Sequence, residues 1–327
     1  MTRAKTPGRS IPAFAITLLV GLTACGGGTV TLDRAAITTL FGKEHLAASP
    51  APDAALVAFG KELYHDKRLS TKGNIACASC HDLARYGTDG QPTSPGTEGK
   101  RGDRNSPSSV NAFRQFVQFW DGRAKDVEEQ ATGPVCNPVE HGFANKDEFE
   151  AKLKSLDGMQ ARFAKFFPGD DPVTLVNFGK AVGAFERTLV THSRFDDWLD
   201  GKDDALTNEE KKGLKTFVDT GCTMCHNGRT VGGGMYQKLG LVNAYPTEDV
   251  GRSKISGNDA EKFFFKVPML LNVAKTAPYF HDGKVATLEQ AVKLMAHHQL
   301  GKELSDADVK SIVTFLGALT GDMPKLD

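Results

Sequence analysis

Cys77-Ala78-Ser79-Cys80-His81 and Cys222-Thr223-Met224-Cys225-His226 are two copies of one pattern, C-x-x-C-H. The pattern is the attachment signature of c-type haem. Its two thiols add as thioethers across the porphyrin vinyl groups, and the local helical turn places the adjacent histidine to coordinate iron from the proximal side. At this chain's own Cys and His frequencies ~0.003 chance matches are expected, so two copies are not coincidence. A zinc site would need four thiolate or imidazole ligands from one cluster, and a thioredoxin-like pair needs no following histidine. Two covalent c-type haems are therefore expected, held by Cys77, Cys80 and His81 and by Cys222, Cys225 and His226.

Each signature is flanked in the same way. Ala54 to Leu63 carries Leu56, Phe59, Gly60 and Leu63 at helical spacing before the first, and Asn208 to Val218 carries Leu214, Phe217 and Val218 before the second. Late in each half a closing helix is predicted, over Val173 to Leu189 and over Ser305 to Leu319. Ser305 with Asp308 resembles a capping box, with Asp where Glu is preferred. Helix, C-x-x-C-H, loop and closing helix is the layout of a class I cytochrome c domain. The expected fold is mainly α, with two such domains over 50–200 and 201–327, each with one covalent haem. The Asp- and Lys-rich stretch Asp200 to Asn208 reads as the linker.

A six-coordinate electron-transfer haem needs a second axial ligand, and methionine opposite histidine favours ferrous iron. Met295 stands shortly before the closing helix, as an axial methionine does in small cytochromes c; Met159 reads as core filler. His297 and His298 read as surface or core residues, in reserve as ligands. The N-terminal haem has no such methionine. An iron with a vacant or exchangeable position can bind a small oxidant.

Ahead of the haem region, Arg3, Lys5 and Arg9 precede an apolar run from Ile11 to Leu22, the layout of an export signal over 1–24. The run is short for a membrane span. Leu22-Thr23-Ala24-Cys25 resembles a lipobox, with cleavage before Cys25, acylation of that cysteine and a flexible tether over residues 25–49; the alternative is an ordinary signal peptide with a fortuitous cysteine at its cleavage site, and both readings export the protein. The expected location is the periplasm, with a lipid anchor. Of the six cysteines only Cys136 is left without a task, so no disulfide framework is expected. Forty Lys+Arg balance forty Asp+Glu, which gives no basic surplus for nucleic acid.

Longer matches make the chain resemble the bacterial dihaem cytochrome c peroxidase family from about Pro50 to Gly321. They include Asp66-Lys67-Arg68-Leu69-Ser70, Arg104-Asn105-Ser106-Pro107, Phe119-Trp120-Asp121-Gly122-Arg123-Ala124, Phe185-Glu186-Arg187-Thr188-Leu189 and Thr276-Ala277-Pro278-Tyr279-Phe280-His281-Asp282-Gly283. The resemblance implies reduction of hydrogen peroxide at the N-terminal haem, with electrons entering through the C-terminal haem from a small cytochrome c or cupredoxin. It makes His81 and His226 the proximal ligands and Met295 the distal ligand of the C-terminal haem. Gln130 and Glu140 become the polar residues of the peroxide pocket, and Trp120 lies between the haems. Oxygen atoms of Asn105, Thr276 and Pro278 hold a calcium ion at the domain interface, a donor set that suits this hard cation. A homodimer is also implied.

Some positions depart from the family pattern. Thr97 stands sixteen residues after His81, where classical members place a distal histidine that blocks the peroxidatic iron. Threonine is no neutral iron ligand, so an open or water-ligated N-terminal haem is expected, with His141 as a rival ligand or a pocket-lining residue. The loop Ala84 to Arg104, rich in Gly and Pro, reads as mobile. Leu271 replaces an arginine, which alters the charge around the C-terminal haem. Two other functions fit a dihaem chain: a protein-modifying maturase, which has tyrosine where Met295 stands, and a non-catalytic electron carrier, which would leave Gln130 and Glu140 without work.

Overall fold

The computed structural model describes residues 30–42 and 53–325. The export segment and Cys25 lie outside the described residues. Twelve helices and one small sheet are formed among those described. In chain order they are α1 (Arg34–Phe41), α2 (Ala54–His65), α3 (Cys77–Cys80), α4 (Val127–Val135), α5 (Lys146–Ser155), α6 (Met159–Phe166) and α7 (Leu175–Glu186). The second half adds α8 (Arg194–Leu199), α9 (Asn208–Thr220), α10 (Ser253–Ser256), α11 (Leu288–Leu300) and α12 (Asp306–Ala318). Strands β1 (Tyr236–Lys238) and β2 (Phe264–Lys266) pair antiparallel, with Tyr236 opposite Lys266. The chain is mainly α.

Two hydrophobic cores organise these elements. The first gathers Phe59, Leu63, Phe149, Phe163, Phe178 and Phe185 from α2, α5, α6 and α7. The second gathers Leu214, Phe217, Ile312, Phe315 and Leu316 from α9 and α12, together with Phe195 and Trp198 of α8. Each fully buried Phe or Leu contributes about 1.5–3 kcal/mol relative to exposure. α8 precedes the expected boundary at 200/201, yet its aromatic face packs into the second core. Part of the expected tether is also structured: α1 is capped by the Asp33 side chain and buries Ile37 and Phe41, four residues apart, in that same core.

The helix before each signature packs on the closing helix of its half, α2 on α7 and α9 on α12. Both crossings turn on a glycine. A Cβ on Gly60 would stand 1.9 Å from the Ala181 carbonyl oxygen, and one on Gly213 would stand 2.1 Å from that of Ser311. Below each glycine lies a phenylalanine of the partner helix, Phe185 or Phe315.

The capping box expected at Ser305 is half formed. The Ser305 hydroxyl accepts from Asp308 N at 3.1 Å, as an N-cap should. The return contact is the hydroxyl donating to the Asp308 carboxylate at 2.7 Å in place of a bond from the Ser305 backbone N–H, unlike Ser193, whose N–H donates to Asp196 at 2.6 Å to close a full box.

Candidate functional site

Each C-x-x-C-H segment turns tightly on itself. His81 N donates to Cys77 O at 2.9 Å, and His226 N donates to Cys222 O at the same distance. That bond brings both cysteines and the imidazole to one wall of a cavity. In the first half the wall is supported from behind by Tyr64, whose hydroxyl donates to the His81 carbonyl at 2.7 Å.

The two imidazoles are held in ligand form. His81 Nδ1 lies 3.2 Å from Gly87 O and His226 Nδ1 lies 3.4 Å from Val231 O, so the proton is assigned to Nδ1 and the Nε2 lone pair is left for a metal. Burial pushes both rings below the ordinary histidine range, His226 down to about 4. Gly232 makes the close fit possible: a Cβ there would stand 2.2 Å from Pro268 O and 3.0 Å from His226 Nδ1. Spacing alone did not single out this glycine.

The cavity around His226 encloses about 1710 Å³ of empty space, open in part to solvent. Its walls are mostly apolar, with Phe217, Leu271, Leu288 and Leu316 among them, and Met295 of α11 contributes to the same cavity as Cys222, Cys225 and His226. The histidines beyond Met295 are occupied elsewhere. His297 pairs with Glu303 at 2.5 Å, and His298 Nδ1 lies 2.9 Å from Asn243 O. Burial is the main reason that the Cys222 thiol is pushed up to about 12 and Cys80 to about 11, so neither is a thiolate nucleophile at neutral pH. Paired thiols beside a neutral imidazole on the wall of a large apolar slot fit a covalently held porphyrin.

The cavity around His81 is larger, about 1920 Å³, and far more polar. Gln130 of α4, Glu140, His141 and Arg123 line it together with Cys77 and Cys80, and no methionine does among the described residues. Glu140 is displaced upward from the ordinary carboxylate range, by burial first, against the pull of Arg123 and a 2.7 Å hydrogen bond from Asn137 Nδ2. His141 is buried, with Nδ1 held 2.6 Å from Leu69 O. Met159 is in the first hydrophobic core, as core filler.

Thr97 is not on the cavity wall. Its Oγ1 donates to Asn74 Oδ1 at 2.6 Å, its N donates to Glu140 O at 2.8 Å, and it is buried. The loop expected to be mobile is therefore fastened to the segment that carries Glu140. Gly96 completes the junction, since a Cβ there would stand 1.6 Å from Val139 O.

Trp120 and Asn105 line both cavities, and Trp120 Nε1 donates to the Asn105 carbonyl at 2.9 Å. Thr276 and Pro278, expected with Asn105 around calcium, line the C-terminal cavity beside it. Leu271 is buried on the same wall, and Cys136 is a half-buried free thiol packed against the first core.

A mainly α chain with two large cavities, each bearing the thiols and imidazole of a C-x-x-C-H wall, defines a cytochrome-c-like haem protein with paired sites. The sequence matches the family described as di-haem cytochrome c peroxidase over residues 54–204. It is 42% identical over 310 residues to the cytochrome c551 peroxidase of Nitrosomonas europaea, covering 90% of this chain and 92% of that protein. It is 43% identical over 275 residues to the cytochrome c551 peroxidase of Pseudomonas aeruginosa, covering 82% and 79%. A solved MauG-like protein associated with microbial copper homeostasis superposes with a TM-score of 0.72 at 27% identity, over 85% of this chain and 95% of that one. The chain belongs to the bacterial dihaem cytochrome c peroxidase family, and it is an oxidoreductase of the peroxidase type.

Proposed function

We propose that this chain reduces hydrogen peroxide to water in the cavity around His81, with two electrons delivered one at a time by a small periplasmic cytochrome c or cupredoxin through the centre held by His226 and Met295. The observation that carries the reading is the placement of Glu140 and Gln130 in the cavity of His81 with no competing methionine among its described lining residues. When bound, the two covalent haems supply the iron that takes peroxide and the electrons that break its O–O bond.

The chain's own residues supply the proton handling. Glu140 is buried enough to sit closer to neutrality than a surface carboxylate and is oriented by Asn137. It accepts the proton of the peroxide oxygen nearer the iron and returns it to the departing oxygen, so that water leaves instead of hydroxide. Gln130 donates a hydrogen bond to the charge that develops on the way. Trp120 spans the wall common to the two cavities, with its indole fixed by Asn105. Asn105, Thr276 and Pro278 supply oxygen atoms for a calcium ion beside this wall. Export, a lipid anchor at Cys25, the domain division near residue 200 and a homodimer complete the proposal.

Steady-state peroxide consumption by wild type and by Glu140→Gln tests this reading. Loss of about 10²–10⁴-fold in turnover is expected for removal of a general acid–base group. Unchanged turnover would overturn it. A maturase would turn over a partner protein faster than peroxide alone, and an electron carrier would consume no peroxide at all.

A further inference from the structure

The wall of the His226 cavity contains one formally charged side chain among the described residues, Lys266 of β2. It is 3% exposed. Its backbone is satisfied through strand pairing and a 2.8 Å bond from Lys266 N to Trp120 O. Its ammonium makes neither a hydrogen bond nor an ion pair. The carboxylate that acts on it, Asp121, is already held by Arg104 at 2.6 Å and Arg123 at 2.9 Å. A buried cation without a counter-ion is costly, and burial pushes the Lys266 ammonium down to about 7; an anion brought by a ligand would offset that cost and hold the charge.

Comparison of the two halves shows that a lysine at this position belongs to one of them, while the His81 cavity has its cations elsewhere, at Arg101, Arg104, Arg123 and Lys254. Asn105 N donates to His281 O at 2.7 Å, and Lys266 N donates to Trp120 O at 2.8 Å. Asn105 precedes Trp120 by the same interval at which Lys266 precedes His281, so each half offers the same two backbone groups to the other. In this reciprocal arrangement Lys266 is the counterpart of a neutral asparagine. The site also contains Leu271, an apolar side chain that supplies no charge.

We infer that Lys266 is the anion partner of the C-terminal haem: its ammonium takes a propionate carboxylate of the porphyrin and raises the reduction potential of this centre. A porphyrin held by Cys222 and Cys225 would bring two carboxylates into a cavity where Lys266 is the one formally cationic side chain among the described lining residues. A nearby cation stabilises the reduced iron, which carries one positive charge fewer than the oxidised iron. Lys266 is thus a positioning residue that raises the potential of the C-terminal centre, and its backbone bond to Trp120 O anchors it at the wall shared with the other cavity.

The inference rests on the two-haem reading, and the experiment separates the two. A pyridine haemochrome count and the sulfur–iron charge-transfer band of the wild-type holoprotein test the haems and Met295 ligation by themselves. Redox titration of wild type, Lys266→Met and Lys266→Arg then tests Lys266. With the sulfur–iron band intact, Lys266→Met is expected to shift the reduction equilibrium of this haem about tenfold toward the oxidised form, about 59 mV for one electron. Lys266→Arg is expected to keep most of the wild-type potential. Equal potentials in wild type and Lys266→Met overturn the inference while leaving the two-haem reading in place. If Lys266→Met yields no holoprotein, the propionate-bending band in the resonance Raman spectrum of the reduced wild type decides. A band at the hydrogen-bonded position supports the inference, and one at the position of solvent-exposed propionate overturns it.

Discussion

In the proposed mechanism Glu140 is the side chain on which the chemistry turns, and its surroundings set the pH at which it would work. Burial raises it, while Arg123 and the Asn137 amide pull it back toward the ordinary range. A base must be ionised to accept a proton, so the acid limb of peroxide turnover is expected above the ordinary glutamate value of 4.5. Arg123→Gln removes one of the groups that lower this value, and the limb should move to higher pH; a pH–rate profile of the two proteins checks the direction. The C-x-x-C-H residues stand in a motif, whereas Met295 is read from its position before the closing helix and Glu140 only from the family resemblance. Thr97 was readable only as a missing histidine. Its actual work, holding Asn74 and the Glu140 carbonyl, is made through contacts far apart in sequence and leaves no local pattern. Thr97→Val removes the Oγ1 bond to Asn74 and is expected to cost about 0.5–1.5 kcal/mol in urea unfolding, the net worth of one hydrogen bond, since Asn74 is exposed and water can replace the lost donor.

The helices show the same division. α2, α7, α9 and α12 carry long apolar stripes, and sequence periodicity placed them within about three residues of their ends. α5 is short and mostly charged outside Phe149 and Leu153, which gives too few apolar positions for a periodic reading, whereas α6 carries Met159, Phe163 and Phe166 at helical spacing and still went unread. α11 went unread as a helix although Met295 belongs to it. The glycines of the two crossings looked like ordinary helical residues, and only the opposing backbone reveals why a side chain is excluded there. Gly213→Ala should force α9 away from α12, at about 1–3 kcal/mol by analogy with overpacked cores. Gly60→Ala should do the same to α2 and α7. Thermal midpoints of the two holoproteins check both, and an unchanged midpoint in either would show that the crossing has slack.

Between the halves, the reciprocal bonds of Asn105 and Lys266 to His281 and Trp120 fix one cavity against the other. Sequence comparison of the halves conceals this, because equivalent positions carry different side chains while the backbone bonds repeat. Charge adds to the junction: Arg104 bridges Asp121 and Asp249, each at 2.6 Å. Burial acts to raise Asp249, but hydrogen bonds from Arg104 and Gly251 N outweigh it and hold the carboxyl below its ordinary 3.8. A carboxylate depressed by folding adds stability that is complete above its unfolded value and fades as pH falls through the folded one. Arg104→Gln should therefore be less stable than wild type at neutral pH, and the difference in urea midpoint should shrink below about pH 4.

The asymmetry of the two cavities is the foundation of the proposed function: Met295 lines the cavity of His226, whereas Glu140 and Gln130 line that of His81. Electron paramagnetic resonance of the purified, fully oxidised protein tests it most directly. One low-spin haem with histidine–methionine ligation and one high-spin or water-ligated haem are predicted. Two low-spin haems, with a bis-histidine signal for the N-terminal centre, would contradict it.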